Sequence, residues 1–597
     1  MVTLVTAAVA LVAPSVAPAA LPFAQCGQPA GIVCATLTVP LDRSGAVPGT
    51  VRLFLEKKPT AAMPPQGALF YLGGGPGSTA TDGTESIAHF LAPALTKRDL
   101  IVMDYRGVGL SEPLSCRATD RAACALELGS RRFFYTTRDM VEDVEAARVA
   151  IGIDKIAVFG VSYGTKIAQA YARRYGDHIE FLVVDGIVPT DGWDPWSRSA
   201  YRAIPRILRA ICTGGDCRGI TTDPARDLAT LIQRTGRSEL RLRYVDTDGS
   251  QRLIRTDLQG LFRIYYGDHA FEAAMRARLP AAVAAFLRGD TYPLGRLWRQ
   301  RNWKGEATAN HGPPADNDVA WPATMCEDIP LPWRGETTRE GKLRRIDAQL
   351  ATFAADAFAP FPNWVAATSP MVTDCLPWSS APQQPVILPR VRYTGRMLML
   401  EGEVDQRTPV EDAQAALAEF PQATLVTVPS SGHGVVSTRC GSRALVDFVA
   451  GRQPQPCGAA RSPTRPAPIP PTSLQKVAPW PGVAGKRGRT IRAVVETVRD
   501  VGYTVWTTGP FLGLRGGRFT TTRVPNARAV LNKIVYVPGV VVSGRFDDVA
   551  HTARVTVSGS GSRGTLTIAA RSITGRLDGK AIKARGASLL IRDLDNR

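Results

Sequence analysis

Lys155-Ile156-Ala157-Val158-Phe159-Gly160-Val161-Ser162-Tyr163-Gly164-Thr165 is an apolar, β-branched run that enters Gly-x-Ser-x-Gly and continues into a helix-forming segment, Lys166 to Arg174, with Ala168, Ala170 and Ala172. A serine hydroxyl is a weak nucleophile at neutral pH, so an enzyme that uses one must hold it where a base and amide donors can reach it. A sharp strand-to-helix turn does this, and Gly160 and Gly164 suit it because a β-carbon at either place would crowd the turn. Ser162 is therefore the candidate nucleophile. In a chain with 55 glycines the five-residue pattern alone is a weak signal. The strand before it and the helix after it give it weight.

Working outward, Gly67 to Leu72 reads as a strand that runs into Gly73-Gly74-Gly75-Pro76-Gly77. No Lys-Ser/Thr follows at the P-loop position, so phosphate binding is disfavoured. Opposite an elbow, such a loop is expected to supply one oxyanion amide, from Gly75, with the second from Tyr163. Leu100 to Asp104 is another strand, and Asp104 and Arg106 beyond it are expected to brace the glycine loop by ion pairing. Thr137 to Ile151 has helical spacing and is closed by Gly152; Phe181 to Asp185 is the strand after the elbow helix. With Cys26 to Asp42 and Val51 to Lys57 as antiparallel leading strands, this alternation predicts a mostly parallel sheet covered by helices on both faces. The strand pattern returns at Met397 to Leu400 and Thr424 to Val428. The first is followed by Glu401-Gly402-Glu403-Val404-Asp405, the second by Ser430-Ser431-Gly432-His433-Gly434. His433 is the only histidine between His311 and His551, and Asp405 is favoured over Glu401 and Glu403 because it stands on the loop. Chain order Ser, acid, His is that of α/β-hydrolases.

Between about 189 and 390 the rhythm changes to helical segments, Ala203 to Ala210, Pro224 to Arg234 and Phe271 to Arg288, among Trp- and Pro-rich loops. An insertion at this place is expected to form a lid. The organisation predicted is a signal-like segment 1–20, a catalytic domain 21–457 carrying that lid, a Pro-rich linker 458–475 and a basic, β-rich domain 476–597. The fold class is thus an α/β-hydrolase fold with a helical lid insertion plus a small C-terminal all-β domain, whose strands include Lys533 to Val537, Val540 to Ser543, Ala553 to Ser558, Thr565 to Ala569 and Ala587 to Ile591.

A chain of 597 residues, 44% hydrophobic and 21% charged, is long enough for two folded domains. Residues 4–12 are an apolar run followed by small residues near Ala17 to Ala20, as in a secretory signal without its basic leader, and no later run is long and apolar enough for a membrane span. The ten cysteines fall in neighbouring pairs: Cys26 and Cys34, Cys116 and Cys124, Cys212 and Cys217, Cys326 and Cys375, Cys440 and Cys457. An even count so spaced points to five local disulfides and an oxidising compartment, secreted or wall-associated. With no Cys-x-x-Cys and scattered histidines, no metal or other cofactor is expected. After Cys457 there are 23 Lys/Arg against 7 Asp/Glu, which is +16 of the total +19. That excess predicts docking on an anionic cell-envelope surface, with nucleic acid disfavoured for an exported chain.

Taken together, these motifs resemble the tripeptidyl and prolyl aminopeptidase family of α/β-hydrolases in its secreted bacterial branch. The resemblance rests on Gly73 to Gly77, Asp104-x-Arg106-Gly107-x-Gly109, Gly160 to Thr165, Tyr171-Ala172-x-x-Tyr175, Val184-Asp185-Gly186, Cys326-x-Asp328, and the Asp405 and His433 loops, and covers roughly Cys26 to Cys457. Gly73 stands where prolyl aminopeptidases often have His, which favours the tripeptidyl-like branch, and Gly176 where a proline is usual. The resemblance implies removal of a residue or short peptide from a free N-terminus, with Ser162, His433 and Asp405 as triad. It also implies a carboxylate for the substrate's ammonium, for which Glu327 and Asp328 are the candidates. An esterase or lipase on the same scaffold, and an envelope-binding protein with a vestigial hydrolase part, are the alternatives.

Overall fold

A computed structural model of the chain describes residues 21–27, 29, 31–266, 273–302, 319–378, 380–381, 393–458, 465–505, 511–522 and 527–589. The signal-like segment 1–20, His311, residues 459–464 of the linker and the end of the expected strand Ala587 to Ile591 lie outside the described residues.

The elbow run becomes a strand because Ile156, Ala157, Val158 and Phe159 are apolar on both faces, and both faces are buried. Numbered along the chain, β1 (Ala24–Gln25), β2 (Val33–Pro40), β3 (Thr50–Lys58), β4 (Ala68–Leu72), β5 (Asp99–Met103), β6 (Ile156–Val161) and β7 (Ile179–Asp185) precede the lid. Inside the lid, β8 (Leu240–Val245) and β9 (Gln251–Thr256) pair as a separate hairpin; β10 (Met397–Gly402) and β11 (Ala423–Val428) follow it. The central sheet has the order β1-β2-β3-β5-β4-β6-β7-β10-β11. β1 to β3 and the β3/β5 pair are antiparallel, and every other neighbour is parallel. One face packs on the helices Thr137–Ile151 and Tyr163–Tyr175, the other on the helices Thr84–Phe90 and Arg439–Val449. The helix Thr137–Ile151 starts in a capping box between Thr136 and Asp139 and ends at Gly152 in the left-handed conformation, as its sequence predicts.

The lid folds around its own aromatic cluster, in which Tyr201 stacks on Phe262 at 3.6 Å and meets Phe358 and Phe361 edge-on. The single helix expected over Phe271 to Arg288 is instead two, Ala273–Arg276 and Leu279–Leu287, with 271 and 272 outside the described residues. Pro280 has no N–H to continue the first helix and sits in the first turn of the second. All five disulfides form between the expected neighbours.

The C-terminal region is a seven-stranded antiparallel meander, β12 (Gly516–Thr521), β13 (Arg528–Val535), β14 (Val541–Asp547), β15 (Thr552–Ser558), β16 (Gly564–Ile568), β17 (Ser572–Leu577) and β18 (Lys580–Arg585). Its last strand is Lys580–Arg585, and the described part of Ala587 to Ile591 is irregular. Against one face lies a 21-residue helix, Gly485–Val505, whose Ile491, Val494, Val495, Val498 and Val501 enter the sheet's core. The described linker residues are tied down: Ala467 N–H donates to Ala277 O (2.8 Å), and Tyr503 OH donates to Arg465 O (2.7 Å).

Candidate active site

Ser162 caps the helix Tyr163–Tyr175 with φ 54° and ψ −123°, a conformation that costs a non-glycine residue about 1–3 kcal/mol. The neighbours enforce it. A β-carbon on Gly164 would lie 2.0 Å from Leu72 O, and one on Gly160 would lie 2.6 Å from Gly164 O, so strand, turn and helix touch through backbone alone. The Ser162 amide donates to Asp185 O at 2.9 Å, which fixes the elbow against the end of β7.

The glycine loop closes over the other side. A β-carbon on Gly74 would fall 3.0 Å from Ser162 Cβ and 3.5 Å from its Oγ. Gly75 and Gly77 have φ of 109° and 99°, which only glycine adopts without strain. Tyr105 OH donates to Gly73 O at 3.1 Å. Asp104 accepts from the Ala80 and Thr81 amides (2.8 and 3.1 Å), Thr81 Oγ1 (2.8 Å) and the Leu110 amide (3.0 Å). The expected bracing by an Asp104–Arg106 ion pair is corrected: Arg106 is fully buried and makes a two-pronged pair with Asp143 at 2.6 Å, tying the loop to the helix Thr137–Ile151. Asp143 provides the matching carboxylate one helix away, and Asp104 is taken by three backbone amides and the Thr81 hydroxyl.

His433 follows β11. Its Nδ1 stands 2.6 Å from Asp405 Oδ2 and 3.1 Å from Thr408 Oγ1. Asp405 is fully buried and also accepts from the amides of Arg407 (2.7 Å) and Thr408 (3.2 Å) and from Thr408 Oγ1 (2.8 Å). Burial works against its charge, but His433 and Thr408 outweigh it and hold the carboxyl below its ordinary range. Glu401 is the reverse case: burial and the nearby Asp405 charge push its carboxyl well up, and it accepts from the Ile187 and Gly402 amides. Glu403 accepts from the Ser430 amide at 2.7 Å. Of Glu401, Glu403 and Asp405, it is Asp405 that bonds the imidazole.

Asp185, at the end of β7, joins the two halves. Its carboxylate accepts from the Val435 amide (2.9 and 2.8 Å) and the Val436 amide (2.7 Å), so it grips the loop carrying His433, while its carbonyl holds Ser162. Burial raises this carboxyl to about 6. The next residue, Gly186, lies against the imidazole; a β-carbon there would be 2.9 Å from His433 Cε1. The Ser162 amide and the His433 ring thus each contact one residue of the Asp185-Gly186 step at the end of β7. The sequence showed Val184-Asp185-Gly186 as a strand end and family motif without this role.

Glu327 and Asp328 do not offer open carboxylates. Glu327 is enclosed by Arg334 (3.3 Å), Trp378 Nε1 (3.3 Å) and the Ala381 amide (2.9 Å). Asp328 pairs with Lys166 (3.0 Å), accepts from Tyr163 OH (2.8 Å) and the Thr137 amide (3.1 Å), and also contacts Thr137 Oγ1. Each is matched by a protein cation, and both residues line a cavity of about 810 Å³ together with Thr137, Arg138 and Lys166, so a substrate ammonium there would share a carboxylate already paired. Asp328 instead secures Tyr163, the residue after Ser162, from the lid. Beside the Asp405 loop opens a cleft of about 720 Å³ lined by residues that include Trp193, Tyr266, Pro330, Arg407 and Asp412.

The sheet order, the elbow and the two carboxyl-end loops make this chain an α/β hydrolase. Residues 67–211 match the model of the alpha/beta hydrolase fold, and residues 359–458 match that of TAP-like proteins. The tripeptidyl aminopeptidase of Streptomyces lividans is 24% identical over 451 residues, 68% of this chain and 79% of that protein. The serine protease Hip1 of Mycobacterium tuberculosis is 27% identical over 191 residues, 27% of this chain and 36% of its own. Among solved structures, an epoxide hydrolase from an endophytic Streptomyces aligns with 71% of this chain and 96% of its own at 17% identity and a TM-score of 0.31.

Proposed function

We propose that this hydrolase is an exported serine aminopeptidase that releases a residue or short peptide from substrate N-termini through an acyl-enzyme. The observation that carries the reading is the buried Asp405–His433 contact set against the β7 step that also anchors Ser162. In this reading His433 takes the proton of Ser162 Oγ as the oxygen attacks the scissile carbonyl, and Asp405 holds Nδ1–H and steadies the imidazolium. The oxyanion rests on the amides of Tyr163 and Gly75, the leaving amine receives the proton from His433, and water repeats the sequence to free the acyl group. The similarity to tripeptidyl aminopeptidase supports the peptide substrate, and the five disulfides support export.

A fluorophosphonate probe should label the wild type and not Ser162→Ala. Hydrolysis of tripeptide anilides with a free amine, lost on N-acetylation, is the expected result. Equal turnover of blocked peptides, or turnover of acyl esters alone, rejects the aminopeptidase in favour of an esterase.

The C-terminal sheet supports a second role, as a dock on an anionic envelope surface. Its face away from the helix exposes Arg518, Lys533, Arg545, Arg554, Arg576 and Lys583, with Arg545 and Arg554 directly opposite each other. Like charges so paired repel unless a polyanion lies across them. Co-sedimentation with phosphatidylglycerol vesicles that salt abolishes is expected; salt-insensitive retention rejects electrostatic docking.

A further inference from the structure

Where the C-terminal helix Gly485–Val505 meets the lid, two arginines converge on one carboxylate. Arg296, on the lid helix Tyr292–Arg301, donates from Nη1 to Asp500 Oδ1 at 2.6 Å. Arg278, just before the lid helix Leu279–Leu287, donates from Nη2 to Asp500 O (3.1 Å) and Thr504 Oγ1 (2.7 Å), and stands 3.6 Å from the carboxylate. Both side chains are more than nine-tenths buried, at 7% and 9% exposure. The nearby Arg515 does not share in this, because it is matched two-pronged by Asp290 at 2.5 and 3.1 Å. Glu496 lies on the same helix, between Arg492 and Arg499, whose charges favour its ionised form while burial opposes it. Tyr536 is fully buried and its phenol is pushed well up, so it stays neutral.

The cluster therefore buries two guanidinium charges against one carboxylate. Four of its donors, Arg278 Nε and Nη1 and Arg296 Nε and Nη2, have no hydrogen-bond partner among the described residues. Both arginines line a cavity of about 30 Å³, together with Asp500, Leu514, Tyr536 and Pro468 of the linker. A buried, unmatched charge with unmade donors is the costliest arrangement a protein interior can hold. The lowering of the Arg278 pKa to about 10, by burial first and Arg296 second, is the same conflict seen in titration. What resolves it must accept from both guanidinia and carry one negative charge. A monatomic anion is the smallest ligand that meets both demands, and water brings no charge.

We propose that this cavity binds one halide ion, chloride in the native setting, which neutralises the Arg278–Arg296 pair and fastens the lid to the C-terminal helix. The site is separate from the hydrolytic centre and does not depend on the activity assigned to it.

The test is thermal unfolding of the full-length protein at fixed ionic strength as gluconate is exchanged for chloride or bromide. A saturable rise is expected, about 2 °C once chloride reaches roughly a hundred times its dissociation constant. Arg296→Met should lose the dependence, since Arg278 and Asp500 then match one to one. Should that variant fail to fold, anomalous scattering from wild-type crystals grown in bromide gives the second readout, with a peak between the two guanidinia expected. Equal melting in chloride and gluconate, or bromide crystals with no peak there, overturns the proposal and leaves water as the occupant.

Discussion

Asp405→Asn separates the charge of the buried acid from its shape. Oδ1 of Asp405 accepts from two backbone amides, Arg407 and Thr408, which would hold the asparagine oxygen in that place. The new NH2 group would then occupy the position of Oδ2, 2.6 Å from His433 Nδ1. A donor there cannot face Nδ1–H, so the imidazole is driven to the tautomer with its proton on Nε2, and it can no longer accept the proton of Ser162. In the chymotrypsin-type triad the same change lowers kcat about 10⁴-fold, which corresponds to about 5 kcal/mol of transition-state stabilisation. A similar loss is expected here, concentrated in kcat with KM little altered, because nothing in the substrate cleft moves. Folding should survive, since the amide donors to Oδ1 stay satisfied. The assay is kcat and KM on a free-amine tripeptide anilide, with the rate of fluorophosphonate labelling as a check on nucleophile activation. Asp405→Asn activity within tenfold of wild type over the neutral and mildly alkaline range would refute the assignment of Asp405 and with it the proposed mechanism.

Three further outcomes can be measured on the same protein. Asp412 is buried, bonded to Ser199 at 3.1 Å, and raised by that burial to about 7; its folded pKa exceeds the unfolded one, so its share of stability is complete below about pH 4 and is lost as pH rises through 7. Asp412→Asn should therefore match wild type in acid and exceed it by a few kcal/mol at mildly alkaline pH, about 4 at most, in urea melts across pH; a constant difference contradicts this. Gly74→Ala puts a methyl 3.0 Å from Ser162 Cβ, so labelling and kcat should fall by at least about tenfold while the melting temperature changes little; full activity would place the loop wrongly. Cys326 and Cys375 close a loop with a sequence separation of 49, so the double change to serine should cost about 4 kcal/mol, and limited proteolysis should then cut in the lid first; an unchanged melting curve rejects the estimate.

Much of this architecture was legible because burial on two faces leaves a plain mark. β4, β5, β6, β7 and β10 are short apolar runs between turn residues, and the order of the elbow, Asp405 and His433 follows from where those runs stop. The C-terminal helix was missed for the opposite reason. Gly485–Val505 is rich in Val, Thr and Ile, residues that favour strands, and carries Gly488 and Gly502 within it. Only the spacing Ile491, Val494, Val495, Val498, Val501 and Val505 gave the helical period, and a reader attending to composition sees a β region. The partner of Arg106 was hidden by distance along the chain. Asp104 stands two residues away, but its carboxylate is taken by the Ala80, Thr81 and Leu110 amides and the Thr81 hydroxyl, and Asp143 belongs to a helix whose packing no local pattern gives. Glu327 and Asp328 were read as a free acidic pair since their cations, Arg334 and Lys166, are supplied by separate elements.

The least visible feature is how the three proposed catalytic residues are tied to one backbone segment. Ser162 follows β6 and His433 follows β11, and β7 and β10 stand between those two strands, so the proposed pairing of hydroxyl with imidazole needs both loops held to a common reference. One residue of β7 supplies that reference. The carbonyl of Asp185 holds the nucleophile's amide, its carboxylate holds the Val435 and Val436 amides beside the base, and the next amide but one, Ile187, is held by Glu401 at the foot of the acid's loop. Three loops from three strand ends are thereby referred to a single backbone segment, which is what the proposed proton transfer, sensitive to an error near 1 Å, requires. Burying a carboxylate without a cation to form this junction costs stability at neutral pH, as the raised pKa of Asp185 records. Such a cost persists where the position of the reacting groups matters more than the stability given up to fix it.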